Sequence, residues 1–457
     1  MKPGLWMRVA LLALVTFYLL AGCGPASPPP ASTLSPGLTA TPWLSTPGFA
    51  PTEGPAARSI RVWLPPELDP SNGTPAGDLL KTRLDEFSAA HPGLRLEVRV
   101  KAKSGPAGLL ESLAAARQAA PSALPDLIAL PYRDMESAAT KGLIYPLDNL
   151  TGLLAGTDWY DYAHQLAQSQ EATFGLPFAG DALVLVYRDT FRQQDRFADA
   201  ANTGGTPVRD GNECFAPSAS GELPPEWSLI QACQVELAFP AADPQALVTL
   251  ALYQSAGGSL VDSQGRPALD PQILTQVLTF YQNGGFSPSV VQYANDDQAW
   301  QAFRAGRADA VITWASNYLR AAPTRQDAPG DYAALPLPGL HGSPYSLADG
   351  WVWAVVAADP VQQSSTVELA EYLLESQFLG AWTSVLGYLP PRPSALAAWK
   401  NENMKTLARN TGTSAQMIPP AQVASALAPL LRQAVLQVLN GQASPGEAAQ
   451  AAVDKLK

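Results

Sequence analysis

Two sets of residues in this sequence have the type and spacing to do chemistry, and both involve cysteine. The first is Leu20-Ala21-Gly22-Cys23, which closes an apolar run from Val9 to Leu20 behind a short basic start with Lys2 and Arg8. A charged start, an apolar stretch and a small-residue cleavage site make a secretory signal. This one ends in a lipobox: removal of residues 1–22 leaves Cys23 first, carrying lipid on its sulfur and its amino group. A transmembrane anchor is the competing reading, but the run is short for a bilayer span of about 20 residues. The second set is Cys214 and Cys233, the remaining thiols. In an oxidising compartment two thiols this close are expected to pair; the alternative is two buried free thiols. No cysteine or histidine cluster accompanies them, so a metal site is not expected.

Other reactive groups do not assemble into a familiar catalytic pattern. His91, His164 and His341 are scattered. There is no Gly-x-Ser-x-Gly elbow, no phosphate loop and no His-Glu-x-x-His. Gly204-Gly205 and Gly257-Gly258 lack a dinucleotide-binding context and read as loops. No cofactor is called for. Acids are numerous enough that a glycosidase-type carboxylate pair stays open on sequence alone. The net charge of −11 argues against nucleic acid and against a basic membrane-binding face, and cleavage after Gly22 removes two bases and no acid.

The elements that must position a site begin after a spacer. Residues 23–58 are mostly Pro, Ser, Thr, Ala and Gly, too poor in apolar surface to repay ordering, so a disordered stalk is expected. The remaining roughly 400 residues are too many for one small core and fit two lobes. Ser59 to Leu64 alternates as a strand, and Leu79, Leu80, Leu84 and Phe87 fall at helical spacing. Leu94 to Val100 alternates again, a helix with Leu109, Leu110 and Leu113 follows, and Asp126 to Leu130 reads as a buried strand. This is the rhythm of a parallel α/β sheet. It resumes with strands at Ala182–Tyr187, Ala310–Thr313 and Leu347–Val356. Helices are read at Pro244–Gln254, Pro271–Gln282, Asp297–Ala305 and Val361–Leu374. Ser444-Pro445-Gly446-Glu447 is a capping box.

The order of local motifs resembles the extracellular solute-binding proteins of bacterial ABC importers, in the branch that includes the maltose-binding protein. Leu124-Pro125-Asp126-Leu127-Ile128, Lys141 to Asp148 (KGLIYPLD) and Gly175-Leu176-Pro177-Phe178 followed by Leu183 to Asp189 are similar to that family's early motifs. Leu223 to Trp227, Ala299-Trp300-Gln301-Ala302-Phe303 with Ala308 to Trp314, and Gly387-Tyr388-Leu389-Pro390 are similar to its later ones. Arg188 departs from the usual Asn, and Ser425 to Leu431 lacks the aromatic that a maltose binder places there.

The resemblance implies an α/β, two-lobe periplasmic-binding-protein-like fold with a ligand cleft between the lobes and hinge crossovers. Lobe one would be 59–180 plus 351–405, and lobe two 181–350 plus 406–457, with crossings near Gly180–Leu183, Leu347–Gly350 and Met404–Thr413. It implies no catalysis: a lipid-anchored, monomeric binding protein outside the cytoplasm, held to the membrane through Cys23, with a carbohydrate ligand and ABC permease subunits as partners; the same fold with a non-sugar cargo, such as a polyamine or a peptide, is the alternative. A sugar-binding cleft needs flat aromatic walls and a few polar partners. By register with the family, Asp181 would accept sugar hydroxyls and Trp314 would stack at the cleft lip. Asp349 and Trp351 flank Gly350 at the second crossing, and Tyr388 lies in a family motif. Tyr132 follows a strand's carboxyl end, where open α/β sheets bind ligands, and Glu67 follows the first strand. Trp63, Trp300 and Trp353 are expected in the core.

Overall fold

The computed structural model describes residues 58–188, 190–192, 208–210, 214–215, 227–321 and 332–456, all within the unit Ala56–Lys457. The signal segment, Cys23, the stalk and Leu223 to Glu226 lie outside the described residues. Among the described residues no helix is long and apolar enough to cross a membrane.

The core is a nine-stranded mixed sheet. Strands β1 (Arg58–Leu64), β2 (Leu94–Val100) and β3 (Leu127–Pro131) are parallel, as their helical connections require. The connections are α1 (Pro75–Ala90) and α2 (Leu109–Ala119). The long strand β4 (Leu176–Arg188) and β8 (Ser346–Val355) run antiparallel through the middle. Beyond them lie β5 (Leu237–Ala238), β6 (Ala310–Trp314) and β7 (Tyr332–Pro336), with β9 (Ala415–Met417) added to the end of β8. The order across the sheet is β2-β1-β3-β8-β4-β6-β5, with β7 on the other side of the second half of β4.

Two strands thus carry the chain across the sheet's centre. The first half of β4 pairs with β8, and its second half pairs with β6 and β7. Gly180 and Gly350 are partners on one rung. A side chain at Gly180 would strike the Tyr162 hydroxyl, and one at Gly350 would strike the Ala179 carbonyl, so the close approach requires glycine at both. The third expected crossing, Met404–Thr413, lies inside the helix Glu402–Ser414, which runs unbroken through the expected boundary at 405/406.

Most element readings hold to within a residue or two, but the strand expected at Ala182–Tyr187 begins six residues earlier, at Leu176. The helix expected from Pro244 begins instead at Leu247, as α6 (Leu247–Ser255). Asp243 takes the N–H groups of Gln245 and Leu247, and Ala246 has φ of 49°, so a turn occupies the expected first helical turn. The capping box opens the helix Pro445–Asp454. Trp63, Trp300 and Trp353 are buried in the core. Cys214 and Cys233 form a disulfide with Cα atoms 5.9 Å apart. It ties Phe215, stacked on Tyr187 at the end of β4, to the segment after the helix Trp227–Ala232.

Candidate functional site

The side-chain alternation of strands brings the site together. Of the 13 residues of β4, only Asp181 and the terminal Arg188 escape full burial; of the 10 in β8, only Asp349 does. Asp181 and Asp349 are direct partners across the antiparallel ladder, one rung from the Gly180–Gly350 pair, so both carboxyls leave the same face of the sheet. Two residues along β4, Leu183 pairs with Trp314, the last residue of β6. Two residues along β8 lies Trp351, paired with Pro131 at the carboxyl end of β3. The period of two therefore puts Asp181, Trp314, Asp349 and Trp351 on one face. They line a cavity of about 420 Å³.

The surrounding elements fix each group. Asp181 Oδ1 accepts the N–H of Ala182 and that of Ser316, each at 3.0 Å. Ser316 is the second residue of the short helix α9 (Ala315–Ala321), so this carboxylate both braces the neighbouring element and faces the cavity. Asp349 Oδ1 accepts from Gly350 N at 2.7 Å. Tyr388 is carried by the turn after α11 (Ser376–Leu386), where Gly387 adopts φ of 69°. Reciprocal backbone bonds between Gly180 and Leu389, at 2.7 and 2.8 Å, hold that turn against β4. Tyr388 thereby joins the cavity wall, with the Arg320 guanidinium 4.5 Å over its ring.

The structure separates two expected residues from this group. Tyr132 is only 6% exposed and lines a different depression of about 680 Å³ with Glu136, because it is the first residue of the helix Tyr132–Thr140 and turns away from the crossover. Glu67 sits in a short helical turn, Pro66–Leu68, and lines neither cavity. Several lining residues had not been anticipated. Asp296 opens α8 (Asp296–Arg304) behind the cap Asn295, and its Oδ2 accepts from Thr313 Oγ1 at 3.0 Å and from Asn317 Nδ2. Lys103, beyond the carboxyl end of β2, places its ammonium 5.1 Å over the Trp351 ring. Asp243, Asp297 and Arg320 also face the cavity. The run Asn295-Asp296-Asp297 before an apolar helix was the available signal, and it reads equally well as a helix cap.

Burial dominates the electrostatics. It raises the Asp181 carboxyl to about 6, against the pull of its Ser316 bonds and of Arg320. Burial, with the Asp181 charge adding to it, pushes Asp296 up to about 7. Asp349 is raised by burial too, opposed by its bond from Gly350 and by the charges of Arg133 and Lys103. Paired carboxylates invite comparison with a glycosidase. Asp181 and Asp349, however, project from one rung on one wall, whereas such a pair must flank the scissile bond.

The geometry is a cavity with two aromatic walls, several carboxylates and hydrogen-bonding amides, at the strands where the chain crosses the sheet. Residues 82–408 match the family model for bacterial extracellular solute-binding proteins. No curated protein sequence matches the chain. Among solved structures, it resembles a cyclic α-maltosyl-1,6-maltose-binding protein from Arthrobacter globiformis, with TM-score 0.65, 16% identity, 87% of this chain and 97% of that one covered. The sugar-binding protein MalE of Xanthomonas citri gives the same four values. A solute-binding protein from Thermotoga lettingae, bound with α-D-tagatose, gives TM-score 0.59 and 18% identity over 87% of this chain and 98% of that one. At such identities the likeness shows the two-lobe binding fold, while the family match spans most of the chain. The chain therefore belongs to the bacterial extracellular solute-binding proteins, and it is a binding protein, not an enzyme.

Proposed function

We propose that this protein captures a saccharide in the Asp181–Asp349 cavity by closure of its lobes, and delivers it to an ABC permease. The carrying observation is the convergence of Asp181, Trp314, Asp349, Trp351 and Tyr388 on one cavity at the crossover strands. Carboxylates accept sugar hydroxyls and rings cover the apolar C–H faces. Sugar-binding structures of the same fold support the reading. The lobes are 59–180 plus 351–405 and 181–350 plus 406–457, hinged where β4 and β8 cross. Contacts made by both lobes exist only in the closed form, so ligand shifts the population toward it.

The Leu20-Ala21-Gly22-Cys23 lipobox and the Pro-rich stalk support a monomer tethered by lipid on Cys23. Calorimetry against a carbohydrate panel, followed by small-angle scattering, tests the capture. A smaller radius of gyration at ligand saturation is expected; an unchanged radius rejects lobe closure. Mass spectrometry of the membrane-extracted N-terminal peptide tests the anchor, and an unmodified Cys23 rejects it.

A further inference from the structure

The cavity carries more negative charge than a neutral sugar needs. Five aspartates line it, Asp181, Asp243, Asp296, Asp297 and Asp349, against two cations, Lys103 and Arg320. Among the described residues none of the five aspartates takes part in an ion pair. Both cations lie over aromatic rings of the wall, and from there Arg320 acts on Asp181 and Lys103 on Asp349 only beyond ion-pair distance.

Asp181 and Asp349 concentrate the problem. Each is the lone carboxylate within its buried strand, and the two meet on one rung. Directly opposed residues have Cβ atoms about 4.5–5.5 Å apart, so one ligand group can reach both carboxyls. Backbone N–H groups occupy one oxygen of each carboxyl, and the Ser316 side chain bonds Asp181 as well, so Asp349 keeps the freer carboxyl toward the cavity. A neutral hydroxyl supplies no counter-charge to the acids. An ammonium set between the carboxyls does, through charge-assisted hydrogen bonds to both.

A second observation points the same way. The Trp351 and Tyr388 faces already hold the chain's own ammonium and guanidinium, at 5.1 and 4.5 Å, so these walls have the geometry for cations. Trp314, beside Asp181 on the same sheet face, adds a third ring to the wall. Among the described residues no three acidic, cysteine or histidine side chains are arranged to hold a metal ion, so the fitting cation is organic.

Resting on the saccharide reading above, we propose that the cargo is an amino sugar, or an oligosaccharide containing one, with its protonated amine between Asp181 and Asp349. Calorimetry of the mature protein with four probes tests this: glucosamine oligosaccharides of two to four units, their N-acetylated counterparts, glucose oligosaccharides of equal length, and spermidine. Acetylation removes the charge and keeps the ring, so the amine is expected to bind at least tenfold tighter than both neutral series. Asp349→Asn should lower that affinity at least tenfold and reduce its salt dependence. Equal or tighter binding of a neutral series overturns the amine and leaves saccharide capture standing. Binding of spermidine with refusal of every saccharide overturns the saccharide reading and this inference with it. Failure of every amine to bind overturns the inference as well.

Discussion

Strand β8 carries Asp349, Trp351 and Trp353 on one face, and the three side chains meet three different surroundings. Trp353 is 1% exposed, stacked on Phe178 at 4.6 Å and parallel to Trp382 of α11. Trp351, one turn of the pleat away, is still buried but lines the cavity, with the Lys103 ammonium over its ring. Asp349 faces the cavity itself. A bulge between Trp351 and Val352 re-aims Phe178 to the same side and completes the aromatic stack. Strand parity only chooses the face. What covers that face, a helix at one end and solvent at the other, decides whether an aromatic is core or wall.

The sharpest way to break this contrast is to truncate each end. Trp353→Ala is expected to cost about 3–5 kcal/mol of stability, the usual loss for a large buried aromatic. Ligand affinity should stay normal wherever the variant remains folded. A melting curve beside a binding isotherm reads both, and weakened binding by fully folded protein would erase the contrast.

The disulfide tests a region remote from the cavity. Cys214→Ser with Cys233→Ser reopens a loop of 19 residues in sequence, worth about 3 kcal/mol in the chain-entropy model. The midpoint of thermal unfolding should fall while affinity holds. Thiol counting on unreduced wild type should find neither of these cysteines free.

At the cavity the pattern should invert. Trp314→Ala is expected to weaken binding about tenfold to a hundredfold, or roughly 1.4–2.7 kcal/mol, with little change in melting. Asp181→Ala should weaken binding comparably and also cost about 1 kcal/mol of stability, because Ser316 N loses its acceptor. If Trp314→Ala melts early yet binds normally, that ring belongs with Trp353.

The smallest effect is electrostatic. Folded Asp296 titrates at about 7, against about 3.9 for an unfolded aspartate, so the fold favours its protonated form. Stability from this group is complete below about pH 4 and is lost as pH rises through 7. Asp296→Asn keeps an acceptor for Thr313 and Asn317 but cannot ionise, and it removes a charge near Asp181 and Asp297. It should therefore stabilise the protein at pH 8 by on the order of 1 kcal/mol, the partial exposure of the side chain limiting the gain. The gain should vanish near pH 4. A gain that is the same at both pH values would mean that Asp296 is ionised throughout.

Local pattern by itself determined the strands Leu94–Val100, Leu127–Pro131, Ala310–Trp314 and Ser346–Val355 to within a residue, the capping box at Ser444 and the pairing of Cys214 with Cys233, but not the strands Leu237–Ala238, Tyr332–Pro336 and Ala415–Met417. Alternation, capping residues and thiol count act over a few residues or through compartment chemistry, so they are written in the chain. The family resemblance pointed to Asp181 and Asp349, by register and by their place at the expected crossings. Only the tertiary structure decided that these two share a rung, since register between strands more than 160 residues apart has no local signature. It likewise brought in Lys103, Asp296 and Arg320, whose types suit any surface, and removed Tyr132 and Glu67, whose positions suited a cleft. The reason is physical: which residues face a cavity depends on how distant elements cross, and that crossing is settled by packing of the whole core.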